Sequence, residues 1–165
     1  MSPFRESTRL RHSSTRLLVQ PGWPEGAIGR RNVVWGWIGI CSGAISGLII
    51  GGWSFGGVIP PPPGFENYGD LARRMVRLAH VAMFMLPIIN ILIGKELDGL
   101  ALSDTWKRRA STLALVGMIG IPLGLLLGGL IHPLLQHVLG LPACCLLAAL
   151  ALVAYGKVKQ APRLG

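Results

Sequence analysis

His80 and His132, together with Arg73 and Arg77, are the residues whose types and placing could carry chemistry in this sequence. A neutral imidazole is a good iron ligand, and arginine pairs readily with carboxylates and other anions. Arg73, Arg77, His80, Phe84 and Pro87 recur at intervals of three and four, which places them on one helix face. Ionisable side chains in an apolar run are costly in hydrocarbon, so they turn towards a protein interior, a cavity or a ligand. His132 closes a later apolar run, and His137 follows it. If the two runs are antiparallel helices, the start of one and the end of the other share a layer. The expectation is a b-type haem between the second and third helices, with His80 and His132 on the iron. Arg73 and Arg77 would then meet the propionates, and His137 is the alternative second ligand. The competing expectation is plainer. His80 is a neutral histidine bonded to a neighbouring carbonyl, and His132, just before Pro133, ends its helix. His132 also lies nearer the interface than His80, by roughly 8 Å at the helical rise.

Two further patterns bear on that choice. Gly39, Gly43, Gly47 and Gly51 recur every fourth residue in the first apolar run, with Gly36 placed similarly. Gly117, Gly120, Gly124 and Gly128 do much the same in the third. Glycines at this spacing make a flat face on which another backbone can approach closely. Helix packing is the simpler use of such faces, and room for a planar cofactor is the other. In the second use the chain loosely resembles cytochrome b membrane subunits, which place glycine beside their haems. That resemblance implies an electron-transfer role.

The elements that must position these residues are apolar spans. Of 165 residues only 14% are charged, against about a quarter in a typical soluble domain. The charges cluster and leave four spans, roughly 33–53, 75–94, 112–132 and 141–155, free of charge apart from Arg77. The first three satisfy the ~20 residues needed to cross ~30 Å of hydrocarbon, whereas the fourth is short and needs Val138, Leu139 or Lys157 at its ends. The fold class expected is therefore an all-α integral membrane protein, a four-transmembrane-helix bundle. Its domains are a basic tail (1–32), a membrane domain (33–156) and a second tail (157–165). Four prolines in a row, Pro60 to Pro63, stiffen the first connection, and Asp70 is placed to cap the second helix. The second connection to that side, about 132–140, is short enough to make the third and fourth helices antiparallel neighbours.

Lysine and arginine set the orientation. The N-terminal tail holds six, the 95–111 loop four and the C-terminal tail three, while the opposite side holds only Arg73, Arg74 and Arg77. Thirteen against three predicts both termini in the cytoplasm. The same distribution explains the net charge of +9 without nucleic acid, because the basic residues flank apolar spans and meet anionic headgroups. Cys41, Cys144 and Cys145 lie in apolar stretches and form neither a disulfide framework nor a redox pair. The N-terminus lacks the apolar core and cleavage site of a secretory signal. The expected location is a bacterial inner membrane, with a mitochondrial membrane as the alternative.

No nucleotide-binding loop, zinc-protease motif, serine-nucleophile motif or intramembrane acid is present. That disfavours an independent enzyme and an ion-coupled permease, although a small permease or channel component stays among the alternatives. The leading expectation is a small membrane subunit of a larger, respiratory or electron-transfer complex, in contact with lipid and other membrane subunits. Its rival is a purely structural or assembly subunit without a cofactor.

Overall fold

A computed structural model describes Trp23 and residues 26–54 and 57–160. Four α-helices follow one another: α1 Arg30–Trp53, α2 Leu71–Leu97, α3 Asp104–Leu130 and α4 Gly140–Gln160, the last preceded by a 3₁₀ turn, Pro133–Leu139. No strand occurs among the described residues. All four helical segments are long and apolar enough to cross a membrane. At ~1.5 Å per residue, α4 with its 21 residues spans about 31 Å and α2 with 27 about 40 Å. The chain is an all-helical protein built for multiple membrane crossings.

The helix ends differ instructively from those expected. α4 extends to Gln160, because Lys157 pairs with Glu96 and the Gln160 amide bonds Gly99 O. Both residues read as tail in the sequence, yet they hold the last turn against the α2–α3 connection. α3 takes in the charged stretch from Asp104 and stops at Leu130, so His132 is outside it. α1 begins at Arg30, which moves Asn32 from the tail into a helix. The rest of the expected N-terminal tail falls almost wholly outside the described residues.

Each helix packs chiefly on its neighbours in sequence: α1 on α2, α2 on α3, α3 on α4. The four form an open series rather than a closed ring, with α1 and α4 as its flanks. Successive helices are antiparallel, so the start of α1, the end of α2, the start of α3 and the end of α4 share one rim. Apolar packing is concentrated in two places. Ile93, Leu97, Ala110, Ala114 and Ala149 fill the layer near that basic rim, and Met75, Ala79 and Leu125 fill the layer near the opposite one.

Candidate functional site

His80 stands on the seam between α1 and α2. That seam is a ladder in which four glycines of α1 each receive one α2 side chain: Ile91 at Gly36, Pro87 at Gly39, Phe84 at Gly43 and His80 at Gly47. A Cβ at Gly47 would lie 2.8 Å from His80 Cε1, and one at Gly43 only 2.9 Å from the carbonyl oxygen of Met83. Pro87 removes the amide hydrogen that would have bonded that carbonyl, so the freed oxygen turns to the α1 backbone where only glycine admits it. The stripe Arg73–Arg77–His80–Phe84–Pro87 is thus one face, as its spacing predicts, and its inner members point at α1.

The His80 ring is held from two sides. Its Nδ1 is 2.9 Å from Ser46 Oγ, and Phe84 meets it edge-on with ring centroids 5.3 Å apart. Ser46 has one hydroxyl proton, which goes to Gly43 O at 2.8 Å. With both bonds formed, His80 Nδ1 is the donor to Ser46, and a neutral ring then keeps its lone pair on Nε2. Nε2 has no hydrogen-bond partner among the described residues.

Towards the rim, Arg73 donates to Phe65 O at 3.2 Å and Trp53 O at 3.4 Å, tying the proline-rich connection and the end of α1 to α2. Arg77 places its guanidinium carbon 3.6 Å from the centroid of the Tyr68 ring, and its Nη1 is buried without a hydrogen-bond partner. The two acids in this connection are engaged locally, Glu66 by the Gly64 amide and Asp70 by the Asn67 amide. Tyr68 is thus what the structure offers the Arg77 charge, through its ring face.

His132 is arranged differently. It is exposed, extended (φ −157°, ψ 130°), and accepts the Leu134 amide hydrogen on Nδ1 at 3.3 Å. An imidazole accepting at Nδ1 carries its neutral-state proton on Nε2, so neither nitrogen offers a lone pair as it stands. His137 donates from Nδ1 to Leu134 O at 2.9 Å and keeps its Nε2 lone pair, but it is exposed on the 3₁₀ turn. The structure brings Arg73 and Arg77 together at Tyr68. No hydrogen bond or ring contact joins His80 to His132 or His137.

The α3 glycines answer the question of space. Gly117 faces Leu146, Gly120 faces Pro142 and Gly124 faces Leu139, all from α4 or the turn before it, while Gly128 meets Met75. The two glycine faces thus serve chiefly separate seams, Gly36 to Gly47 that of α1 with α2 and Gly117 to Gly124 that of α3 with α4 and the turn before it. Between α2 and α3 the space is taken by Met75, Ala79, Ala82, Ile121, Leu125 and Leu126. As packed, these residues do not fit a haem between His80 and His132: Met75, Ala79 and Leu125 fill that level of the α2–α3 seam, and His132 Nδ1 is taken by the Leu134 amide. No group of three or more His, Cys, Asp or Glu among the described residues is placed for a metal ion.

A second polar centre, unseen in the sequence, lies near the basic rim. Asn32 Nδ2 donates to Asn90 Oδ1 at 2.8 Å and to Ser111 O at 3.2 Å, Asn90 Nδ2 returns a bond to Asn32 O at 3.0 Å, and Ser111 Oγ donates to Asn32 Oδ1. All three residues are buried, and they join α1, α2 and α3. Arg31 covers the cluster, donating to Ser111 Oγ at 3.0 Å and Thr112 Oγ1 at 2.9 Å. Beside it the Asp98 carboxylate, at the end of α2, accepts from the amides of Ile28 and Gly29 at 2.9 and 3.2 Å. That places a negative charge at the start of α1, where the helix dipole favours it. Lys107 Nζ completes the corner on Asp98 O at 2.8 Å. Asn90 is a polar residue in an apolar run of the sequence, the one member of the cluster that the sequence pattern marks. Asn32 was masked by its basic surroundings, and only its partner's burial would have revealed it.

No protein-family model, curated protein or solved structure matches this chain.

Proposed function

We propose that the chain is a structural subunit of a larger membrane assembly, inserted with both termini in the cytoplasm of a bacterial cell. The observation that carries the reading is the outer face of α4. Cys144, Ala148 and Ala151 are exposed there at intervals of four and three, with Leu147 between them, and no helix of this chain covers them. In lipid, association is driven by close backbone approach at such small residues rather than by hydrophobicity. The glycine seams support the same reading: Gly36, Gly39, Gly43 and Gly47 meet α2 and Gly117 and Gly120 meet α4, whereas the small-residue face of α4 looks outwards. Ala148→Trp should shift the native particle to smaller size on blue-native electrophoresis, while Leu48→Trp on the exposed face of α1 should not. An unchanged particle in both variants overturns the docking role of α4.

Electron transfer through a b-type haem is the second reading, and it keeps one supporting observation. Ser46 bonds His80 at Nδ1 and leaves Nε2 without a partner among the described residues, which is the arrangement an axial imidazole needs. Its second ligand would have to come from outside the α2–α3 seam, His137 or a partner subunit. Reduced-minus-oxidised spectra of the native complex test it: a b-type alpha band lost in His80→Ala supports the reading, and a spectrum unaffected by that change removes it.

A further inference from the structure

Three cavities lie one beneath another along the side where α1 and α3 approach across α2. The first, about 370 Å³, is bounded at the basic rim by Arg31, Arg108, Thr112 and the turn before α1. The second, about 400 Å³, shares Arg31 with it and runs past Arg30 and Val34 to Trp35. Trp35 also opens the third, an apolar groove of about 270 Å³ with Ile38 and Ser42 on one wall, Ile119 and Leu123 on the other and Pro87 in its floor. Arginines at a membrane rim, an indole at the level below and an apolar groove below that repeat the order of a phospholipid: phosphate, glycerol region, acyl chain.

We propose that this face holds one anionic diacyl phospholipid, its phosphate between Arg31 and Arg108 and one acyl chain in the groove below Trp35. Charge complementarity selects the occupant. Arg30, Arg31 and Arg108 bound the upper cavities, which no acidic side chain lines among the described residues, and Asp98 is occupied by the amides of Ile28 and Gly29. Arg31 is also preorganised, since its bonds to Ser111 and Thr112 anchor the guanidinium on α3 before any ligand arrives. Two of the three helices that form the groove bear a proline in it, Pro87 in α2 and Pro122 in α3. A free phosphate would use the rim alone and leave that groove without a role.

The full chain, purified in detergent and offered equal phosphatidylglycerol and phosphatidylcholine, tests this by native mass spectrometry. Wild type should retain one phosphatidylglycerol at least about fivefold over phosphatidylcholine, the selectivity one basic side chain gives at an anionic surface. Arg108→Gln, which breaks no hydrogen bond among the described residues, should lower that selectivity by about the same factor. Ile119→Trp, which fills the groove, should reduce retention of the lipid while leaving helicity by circular dichroism unchanged. Equal retention of the two lipids, or Arg108→Gln behaving as wild type, overturns the proposal. So does glycerol phosphate binding equally to wild type and Ile119→Trp, which would make the rim a site for soluble phosphate.

Discussion

Asn32, Asn90 and Ser111 show how three modest polar residues fix the relative register of three helices. In lipid an amide buried without a partner is costly, so the sliding of one helix past another is resisted wherever such a cluster must stay paired. Intramembrane hydrogen bonds average about 0.6 kcal/mol and reach about 1.7. Asn90 takes part in two, so Asn90→Leu should cost roughly 1–3 kcal/mol in a reversible unfolding titration in bicelles. Ser42→Ala is the control, because the Ser42 hydroxyl only bonds Ile38 O within its own helix. A loss no greater for Asn90→Leu than for Ser42→Ala would show that the cluster does not hold the register. The sequence exposed Asn90 and His80 because both interrupt apolar runs, but not their partners. Which face of α2 meets α1 and which meets α3 is set by the packing of all three helices. For that reason His80 was expected beside His132 and is found beside Ser46.

At the scale of the helices, glycine acts through what stands opposite it. The periodicity was readable, and so was close helix approach, but the destination of each face was not. A four-residue spacing says that one face is flat and leaves open which neighbour lies on it. The structure separates positions that look equivalent in sequence. At Gly43 a Cβ meets the Met83 carbonyl, which is backbone, whereas at Gly124 it meets the end of the Leu139 side chain at 2.5 Å, and at Gly51 nothing within 4 Å. Gly43→Ala should therefore lower the thermal stability of the purified protein most, Gly124→Ala less because Leu139 can rotate, and Gly51→Ala not at all. Equal effects at Gly43 and Gly51 would mean that the α1–α2 seam is looser than described. Helix ends make a parallel point. Asp98 caps α1 from across the bundle, a contact between residues about seventy positions apart that no local pattern announces. Asp98→Ala should cost about 1 kcal/mol, the usual worth of an N-terminal cap, and Asp98→Asn should recover part of it. Full stability in Asp98→Ala would show that the start of α1 needs no such cap.

For the molecule as a whole, four helices long and apolar enough to cross a membrane, and their antiparallel order, were legible, because hydropathy and charge clustering are properties of long windows. The open arrangement was not, since nothing in the sequence distinguishes a series of helices from a closed ring. The orientation proposed from the basic residues is checked by cysteine labelling in sealed membranes. Glu66→Cys should react with an impermeant reagent from outside and Asp104→Cys only after permeabilisation; both reacting on one side would break the four-crossing topology.

An open series has two flanks, and the proposed function assigns one of them, α4, to a neighbouring subunit. Photo-crosslinking from inside the native membrane tests this most directly, with benzoylphenylalanine at position 148 on α4 and at position 48 on α1. Leu48, 80% exposed, is the lipid-facing reference. The account predicts a discrete higher-mass adduct from position 148, abolished by Ala151→Trp on the same face, and none from position 48. Position 148 yielding no protein adduct, or the same products as position 48, would contradict the assignment of this chain as a subunit docked through α4.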